Sequence, residues 1–423
     1  MDRILEDYQR LIVPGVTHWN HPGFLAYFSI SGSGPGIIGE ALAAALNVNA
    51  MLWRTGPAPT ELEERACDWL RQMIGLPDAF RGHINDTASS STLLALAAAR
   101  HHLEGAAIRK RGMAGRNDLP QLMIYASEQA HSSVDKAAIG LGFGLDNVRK
   151  IGTDRHYRME TKELERIIAN DRAAGRRPVA VVATAGTTST TSVDPLGKIA
   201  EVCGRERLWL HVDAAYAGTA AICPEYRALM KGWENADSVV LNPHKWMFTP
   251  MDCSVLLLRE PDQLREAFSL VPEYLRTSET GVNNLMDYGF QLGRRFRALK
   301  LWMVIRAFGV SGLQDRIRAH CALGKWFASR VEADPEFQLC APVPFSTICF
   351  RAVSGGKPEK QELFNQRLLE EVNATGKVLL SHTKLRGRFV LRLAIGNIKT
   401  RREQIEKAWD LIRDSRKSLL RKS

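Results

Sequence analysis

The middle of the chain contains short apolar segments that do not alternate with polar residues, and helical patterns separate them. Strands of this kind are typical of a sheet whose two faces are both covered by helices. Two intervening segments, 161–174 and 195–205, have helical spacing, with Thr161 and Asp194 as predicted N-caps. The pattern predicts an α/β fold with a doubly wound, largely parallel sheet. The predicted strands are 121–125, 179–184, 208–212, 237–241 and 254–258.

The pattern changes after about residue 283. Residues 292–308 have the spacing of a long amphipathic helix, and 347–353 and 388–394 read as alternating strands. This change indicates a second, smaller α+β unit. We predict an N-terminal wrapping segment at 1–60, a large cofactor-binding domain at 61–310 and a small C-terminal domain at 311–423.

The charge balance and the apolar runs exclude several classes of function. The chain has 57 Lys and Arg against 46 Asp and Glu, a net charge of +11, but the basic residues form short scattered clusters. No recognised nucleic-acid-binding motif accompanies them, so we predict solvated surfaces and no nucleic-acid partner. The apolar runs fall far short of the roughly 18 residues that span a bilayer. We therefore predict no membrane partner.

The cysteines and the N-terminus point to a reducing compartment. Seven cysteines are widely spaced, and no Cys-x-x-Cys pair occurs. Buried, reduced thiols fit this spacing better than a zinc or disulfide framework, so we predict no metal site. The charged N-terminus lacks the apolar core of a signal peptide, and we predict a cytoplasmic protein.

Two of the predicted strands end in residues that could carry chemistry. The segment LWLHVDAAYAG ends its strand at Asp213, and SVVLNPHKWM continues past its strand to Lys245. Ligands bind at the carboxyl ends of parallel strands in open α/β sheets. Taken singly, an aspartate there often caps a helix, and a lysine is usually a surface residue. Together, a carboxylate for a pyridine nitrogen and a lysine for a Schiff base are what pyridoxal phosphate requires.

Two further segments fit the same cofactor. Thr87, Ala88 and Ser89 precede a helical stretch rich in Ala and Leu, and free N–H groups at a helix start can bind phosphate. His131 follows the strand at 121–125 and could stack on a cofactor ring from the opposite face. A lone histidine is more often structural, but this one has a fitting position.

With these residues in view, the chain resembles the aromatic L-amino-acid decarboxylase family of pyridoxal-phosphate enzymes, the group II decarboxylases. The similarity runs from about Val13 into the C-terminal region, and several specific motifs occur in the family's order. They are PGVTHW, AYF, TELE, SEQAHSSVDKA, ATAGTT, LWLHVDAAYAG, NPHKW, GRRFRALK and FVLRLAIGN.

The resemblance implies a fold-type I, aspartate-aminotransferase-like architecture, pyridoxal 5′-phosphate as cofactor and a homodimer with active sites at the interface. It implies that Lys245 is the Schiff-base lysine, Asp213 the partner of the pyridine nitrogen and His131 the residue that stacks on the ring. Tyr274 matches the family's mobile-loop tyrosine, the proposed proton donor. The remaining implied residues are Thr87, Ala88, Ser89, Asn242 and His244 at the phosphate, Thr188 and Ala215 beside the ring, and Trp19, Tyr27, Phe28, Ile30 and His131 at the substrate.

Some positions depart from the family's animal members in ways that bear on substrate choice. Ser29-Ile30 follows Phe28 where those enzymes have Pro-Thr. Asn49 and Met51 stand where they have apolar or aromatic residues that contact the substrate ring across the interface. Gly293 stands where histidine-directed relatives tend to carry Ser, and this favours a bulky aromatic substrate.

Other departures concern the cofactor and the dimer. Asp86-Thr87 replaces a Gly-Ser pair in the phosphate loop, and we expect a mild effect on cofactor affinity. The chain begins where an extra N-terminal helical segment of the animal enzymes ends. The resemblance therefore implies a smaller dimer interface or a truncated form.

Three hypotheses about function remain open from the sequence. The first is decarboxylation of an L-amino acid, with an aromatic substrate preferred, to the amine and CO₂. The second is a different use of the same cofactor. It could be oxidative decarboxylation-deamination to an aldehyde, transamination, or decarboxylation of a non-aromatic amino acid. The third is a catalytically idle binding protein, which the joint presence of Asp213, Lys245, His131 and Tyr274 disfavours.

Overall fold

The computed structural model describes residues 1–270, 279, 281–355 and 357–422. Within this part of the chain, seven strands form one sheet in the order β1-β7-β6-β5-β4-β2-β3, in which β7 runs antiparallel to its two neighbours and the other strands are mutually parallel. The mostly parallel sheet confirms the predicted fold class. The strands are β1 Arg81–Asn85, β2 Leu122–Ser127, β3 Val148–Ile151, β4 Arg177–Thr184, β5 Trp209–Asp213, β6 Ser238–Leu241 and β7 Ser254–Leu258.

Helices cover both faces of this sheet, which explains why its central strands are apolar on both sides. Every residue of β2, β5, β6 and β7 is buried. Apolar side chains on the two faces of the sheet form two separate clusters. The helices up to β7 are α1 Asp2–Asp7, α2 Gly34–Leu46, α3 Pro57–Ile74, α4 Ala88–His101, α5 Ile108–Arg111, α6 Ser133–Gly140, α7 Thr161–Ala173, α8 Leu196–Glu206, α9 Pro224–Arg227 and α10 Pro243–Trp246.

The C-terminal part contains a second sheet, antiparallel, in the order β10-β11-β9-β8. Its apolar face packs with three helices into a separate buried cluster that includes Phe327, Phe350 and Trp409. The strands are β8 Phe337–Leu339, β9 Thr347–Ala352, β10 Ser381–Leu385 and β11 Arg388–Ala394, and the helices are α11 Pro261–Phe268, α12 Ala298–Ala333, α13 Pro358–Ala374 and α14 Arg402–Lys422.

Helix α12 joins the two parts of the molecule. It continues well past the end of the predicted helix at 308, and its regular geometry is interrupted at Gly309, which has φ of 62°. Glycine takes such a φ without the steric penalty of other residues. The interruption lies next to the predicted domain boundary at 310/311, and the domain limits stay a prediction.

The predictions that Thr161 and Asp194 are helix N-caps were both wrong. Helix α7 begins at Thr161 itself, with Glu160 at its N-cap position. Helix α8 begins at Leu196 with Pro195 at its N-cap position. The Asp194 carboxylate instead accepts hydrogen bonds from the backbone N–H of Met159, at 2.7 Å, and of Thr184, at 2.8 Å. Asp194 therefore joins the end of β4 to the loop before α7, and burial raises the pKa of its carboxyl to about 6.

Two negative observations concern the described residues. No helix among them is long and apolar enough to cross a membrane. The described His, Cys, Asp and Glu residues form no group of three or more that could hold a metal ion.

Candidate active site

The carboxyl ends of the parallel strands place most of the predicted site residues along one edge of the large sheet. Asp213 is the last residue of β5, and Asn242 follows β6 directly as the N-cap of α10, the short helix that carries Lys245. Strands β5 and β6 are paired, with Asp213 opposite Val240. The predicted carboxylate and lysine therefore come from adjacent strand ends.

Asp213 is buried, with 6% of its surface exposed. Its Oδ1 accepts a hydrogen bond from the Ala215 N–H at 3.1 Å, which fixes the carboxylate against the turn after β5. The turn is built from small residues, and Ala214 and Ala215 are both buried. A buried carboxylate is costly without a cationic partner, and Asp213 acts electrostatically on both Lys245 and His131.

Lys245 has the environment of a reactive amine. Burial lowers the pKa of its ammonium, Asp213 opposes this shift, and Arg392 adds to it. Its Nζ lies 5.4 Å from the centre of the Phe28 ring. A lowered pKa leaves a larger fraction of the amine neutral near pH 7, and the neutral amine is the nucleophile.

Asn242 and His244 form a polar pair beside Lys245. Asn242 Nδ2 lies 3.3 Å from His244 Nε2, and His244 Nδ1 accepts a hydrogen bond from the Cys253 N–H at 2.9 Å. Burial, with Lys245 next in effect, lowers the pKa of His244 to about 3, so this imidazole is neutral at pH 7. Asn242 Oδ1 is buried and has no hydrogen-bond partner in the described part of the chain.

The predicted phosphate loop lies at the same edge, because β1 runs parallel to β6 and leads into α4. Thr87 is the N-cap of α4 without a side-chain cap bond, Ala88 is the first helical residue, and Ser89 is exposed. The departure at Asp86 has a visible consequence: its carboxylate accepts a hydrogen bond from the Thr87 N–H at 2.5 Å. Burial lowers the pKa of Arg297, but the hydrogen-bonded carboxylate of Asp252 raises it overall, and the charge of Asp86 adds to that rise.

His131 and Thr188 lie in loops that follow β2 and β4 at this edge, and both are exposed. His131 Nδ1 accepts a hydrogen bond from the Ser133 N–H at 3.1 Å, so the neutral ring carries its proton on Nε2. Partial desolvation lowers the pKa of His131, Asp213 opposes the shift, and Lys245 adds to it. An exposed neutral ring is free to lie against a flat ligand.

The aromatic residues predicted at the substrate divide into two groups. Trp19 and Tyr27 stack on each other, with ring centres 5.9 Å apart, and Tyr27 is 60% exposed with φ of 49°. Phe28 turns inward toward Lys245. Ile30 is half-buried two residues further on.

Arg392 also belongs to this region. It lies within the motif FVLRLAIGN, but it was not predicted as a site residue from the sequence. It lies in β11, it is buried, and its guanidinium carbon is 4.5 Å from the centre of the Phe28 ring. Its Nε donates to the Ser189 carbonyl at 3.0 Å and its Nη1 to the Tyr27 carbonyl, while Nη2 is buried without a partner in the described chain. The available signal was an arginine between the apolar residues Leu391 and Leu393, since a buried arginine requires partners.

Three of the positions that bear on substrate choice, Asn49, Met51 and Gly293, lie together. Asn49 Oδ1 accepts a hydrogen bond from the Arg294 N–H at 2.9 Å, and its Nδ2 lies 3.3 Å from the Met51 sulfur. A Cβ added to Gly293 would lie 3.8 Å from the same Nδ2. Tyr274, the predicted proton donor, lies outside the described residues.

Comparison with known proteins identifies the group to which this arrangement belongs. Residues 1–353 match the model of the pyridoxal-dependent decarboxylase conserved domain. The chain belongs to this family. It is 41% identical to tyrosine decarboxylase 4 of Petroselinum crispum, over 99% of this chain and 84% of that protein. It is 40% identical to phenylacetaldehyde synthase of Arabidopsis thaliana, over 100% of this chain and 87% of that protein.

A solved structure gives the same result for the fold. The crystal structure of Oryza sativa TDC with PLP and tryptamine superposes with a TM-score of 0.95 at 39% identity, over 99% of this chain and 88% of that one. Membership of the pyridoxal-dependent decarboxylases confirms the predicted enzyme class, fold class and cofactor. The chain is a pyridoxal-phosphate-dependent decarboxylase, and the roles of its individual site residues stay predictions.

The residues at the strand ends fit this cofactor chemically. A buried carboxylate, Asp213, suits a protonated pyridine nitrogen, and a lysine with a lowered pKa suits an aldehyde. The start of α4 offers N–H groups to a phosphate. The unpaired Asn242 Oδ1 and the small residues Ala214 and Ala215 mark a place where a polar, flat group can be received.

Proposed function

We propose that this decarboxylase converts an aromatic L-amino acid into the corresponding amine and CO₂. The observation that carries the proposal is the position of Lys245: its amine interacts electrostatically with the Asp213 carboxylate and the Arg392 guanidinium, and it lies 5.4 Å from the centre of the Phe28 ring. When bound, pyridoxal phosphate supplies an electron sink for the electrons that the departing carboxylate leaves behind.

The cofactor residues divide the work of holding it. Lys245 would bind it covalently, and Asp213 would keep a proton on its pyridine nitrogen through charge. His131 would stack on its ring. Thr87, Ala88, Ser89, Asn242 and His244 would hold its phosphate, and Thr188 and Ala215 would line the place of the ring.

The substrate is held by charge at one end and by aromatic surface at the other. Arg392 receives the substrate carboxylate on Nη2, which has no hydrogen-bond partner among the described residues, in a bond between charged groups that is stronger than a neutral one. The side chain of the substrate lies against Trp19, Tyr27, Phe28 and Ile30. Tyr274 delivers the proton to the α-carbon that loses CO₂.

The preference for an aromatic substrate rests on the relatives and on one position. The matched proteins include a tyrosine decarboxylase, a tryptophan decarboxylase and a phenylacetaldehyde synthase, at 39% to 41% identity. Gly293 stands where histidine-directed relatives tend to carry Ser. Both observations favour a bulky ring.

We propose the homodimer on a separate observation. Helix α1 has no buried residue, and apolar side chains on both α1 and α2 are exposed. Exposed apolar surface on helices is typical of association sites, and a second copy is the partner that the family resemblance implies. The exposed side chains are Ile4, Leu5, Ile37, Ile38, Leu42 and Leu46.

We propose a cytoplasmic location, and the state of the thiols supports it. All seven cysteines are free, and six of them are buried. This is the expected state in a reducing compartment.

The aldehyde-forming reaction is a second candidate, because phenylacetaldehyde synthase matches the chain almost as well as the tyrosine decarboxylase does. The purified holoenzyme is incubated with L-tyrosine, L-tryptophan, L-phenylalanine, L-Dopa, L-histidine and L-glutamate, and products are identified by mass. We expect amines from the aromatic substrates. Aldehyde, ammonia and hydrogen peroxide as the main products would instead establish the second reaction, and turnover confined to histidine or glutamate would refute the aromatic preference.

A further inference from the structure

A column of aromatic rings extends from the candidate site into the core. Phe28 stacks on Tyr216 with ring centres 3.8 Å apart, and Tyr216 stacks on Trp246 at 4.8 Å. His320 lies edge to edge with Trp246 in nearly the same plane, with ring centres 6.4 Å apart. The planes of neighbouring rings differ by 17°, 4° and 3°. The parallel, offset stacking of the first three rings is a favourable contact between π-systems. The column therefore has one defined orientation from end to end.

The inner members of the column are held in place by hydrogen bonds. Trp246 Nε1 donates to His320 Nδ1 at 2.9 Å, and the Tyr216 hydroxyl lies 3.1 Å from Ser346 Oγ and 3.4 Å from the Ile395 carbonyl oxygen. Tyr216, Trp246 and His320 are all buried. Tyr216 follows β5, whereas Ser346 and Ile395 flank strands of the small sheet, so Tyr216 connects the two sheets.

Phe28 is the half-buried end of this column, and its two faces have different neighbours. The Tyr216 ring covers one face at 3.8 Å. The Arg392 guanidinium carbon lies over the same ring, 4.5 Å from its centre. Phe28 is therefore in contact with both a fixed tyrosine and a buried cation, the latter in the geometry of a cation–π contact.

We propose that Tyr216 is a positioning residue that, through Phe28, holds the Arg392 guanidinium where its unpaired Nη2 receives the substrate carboxylate. The inference rests on the proposed decarboxylase function and adds to it a residue that touches neither cofactor nor substrate. Without the Tyr216 ring, the Phe28 ring can move into the volume that the Tyr216 ring occupied. The Arg392 guanidinium then loses the ring that it packs against, and its Nη2 is no longer held in one position. Lys245 keeps its own place because α10 and the end of β6 hold it.

The test separates binding of the carboxylate from binding of the aromatic ring. In Tyr216→Leu holoenzyme, we expect KM for the amino acid to rise about tenfold. The inhibition constant of the product amine, which lacks the carboxylate, should change less than about threefold. Tyr216→Phe keeps the ring and should stay within about twofold of the wild type in both constants. Cofactor content, measured by absorbance, should be equal in all variants.

Equal losses for amino acid and amine would overturn the proposal, because Phe28 would then act as a pocket wall alone. Phe28→Leu provides a second, half-buried position in case Tyr216→Leu does not fold. Because Phe28 also lines the side-chain pocket, both constants should rise in this variant, and that of the amino acid should rise by more than that of the amine. Absence of amine or aldehyde production by the wild type would contradict the proposed function itself, and this outcome is distinct from an active wild type with non-selective variants.

Phe345→Leu is the matched control. Phe345 is fully buried and lies edge-on to Trp246, with ring centres 6.2 Å apart and planes at 81°, and it also contacts Tyr226. The Phe345→Leu substitution removes an aromatic ring from the same core, but this ring does not stack on Phe28. We expect lower thermal stability and unchanged constants for both amino acid and amine. A carboxylate-selective loss in this variant would show that general loosening of the core, not the column, sets the position of Arg392.

Discussion

The two sides of the candidate site are built in different ways. The strand-end side consists of Asp213, Asn242, His244 and Lys245, which lie within 33 consecutive positions and are held by one sheet. The facing side consists of Tyr27, Phe28 and Arg392, and the bond from Arg392 Nη1 to the Tyr27 carbonyl joins residues 365 positions apart. The first side can form as soon as two neighbouring strands pair, whereas the second requires the small sheet to be docked. We expect the strand-end side to determine whether the reaction occurs, and the facing side to determine what is bound.

Loss of Lys245 should have the largest effect and tests the strand-end side. In Lys245→Ala, turnover should fall by at least about 10³-fold, because the covalent attachment and the nucleophilic amine are both removed. Borohydride treatment of the wild-type holoenzyme followed by peptide mapping should show cofactor mass on the peptide that contains residue 245.

Lys198→Ala is the control for this experiment, since Lys198 is exposed on α8. It should keep full turnover and the modified peptide. Cofactor mass on another lysine of the wild type, or turnover retained in Lys245→Ala, would remove Lys245 from its proposed role.

The sequence could predict the strand-end side because local rules suffice there. Buried parallel strands were visible as apolar runs, and their carboxyl ends meet at one edge of the sheet, so Asp213 and Lys245 could be paired before any contact was known. The aromatic residues Trp19, Tyr27 and Phe28 came from the family resemblance, and no local pattern indicated that Phe28 faces Lys245.

Other features could not be predicted, for identifiable physical reasons. Strands β1 and β3 were missed because RGHIN and VRKI are polar and lie toward the edges of the sheet. Asp194 has the spacing of a helix cap, but its carboxylate accepts a hydrogen bond from the Met159 N–H in the loop before α7. Arg392 depends on the docking of the small sheet, which no local pattern encodes. Long-range packing, not local preference, accounts for each of these differences.

Loss of Arg392 should have an intermediate effect and tests the facing side. In Arg392→Met, we expect KM for the amino acid to rise by roughly 10- to 100-fold, because a charged hydrogen bond to the carboxylate is removed. The cofactor should still be attached at Lys245, which steady-state kinetics and peptide mapping would show together.

Arg351→Met serves as the comparison, because Arg351 is also buried in the small sheet, in the neighbouring strand β9, where it pairs with Glu362 at 3.2 Å. We expect this change to lower stability and leave KM within about twofold. If both variants raised KM alike, the facing side would owe its effect to the integrity of the small sheet rather than to the charge of Arg392.

The smallest expected effect lies at the far end of the aromatic column and concerns stability. Burial lowers the pKa of His320 to about 4, against about 6.5 for an unfolded histidine. The unfolded chain therefore binds a proton before the folded one does. The stability contributed by neutral His320 is complete above pH 6.5 and is lost as the pH falls toward 4.

His320→Gln keeps an acceptor for Trp246 Nε1 and removes the titration. Between pH 7 and pH 5 the free energy of unfolding should therefore fall by about 2 kcal/mol less in this variant than in the wild type. Denaturant unfolding at several pH values measures the slope, and His18→Gln, at an exposed position, should leave it unchanged. His211 and His244 are buried with lowered pKa values as well, so part of the acid sensitivity must remain.

An unaltered slope in His320→Gln would mean that His320 does not titrate across this range. A changed KM would mean that the inner end of the column also acts on the substrate, and the division between a stabilising end and a binding end would fail.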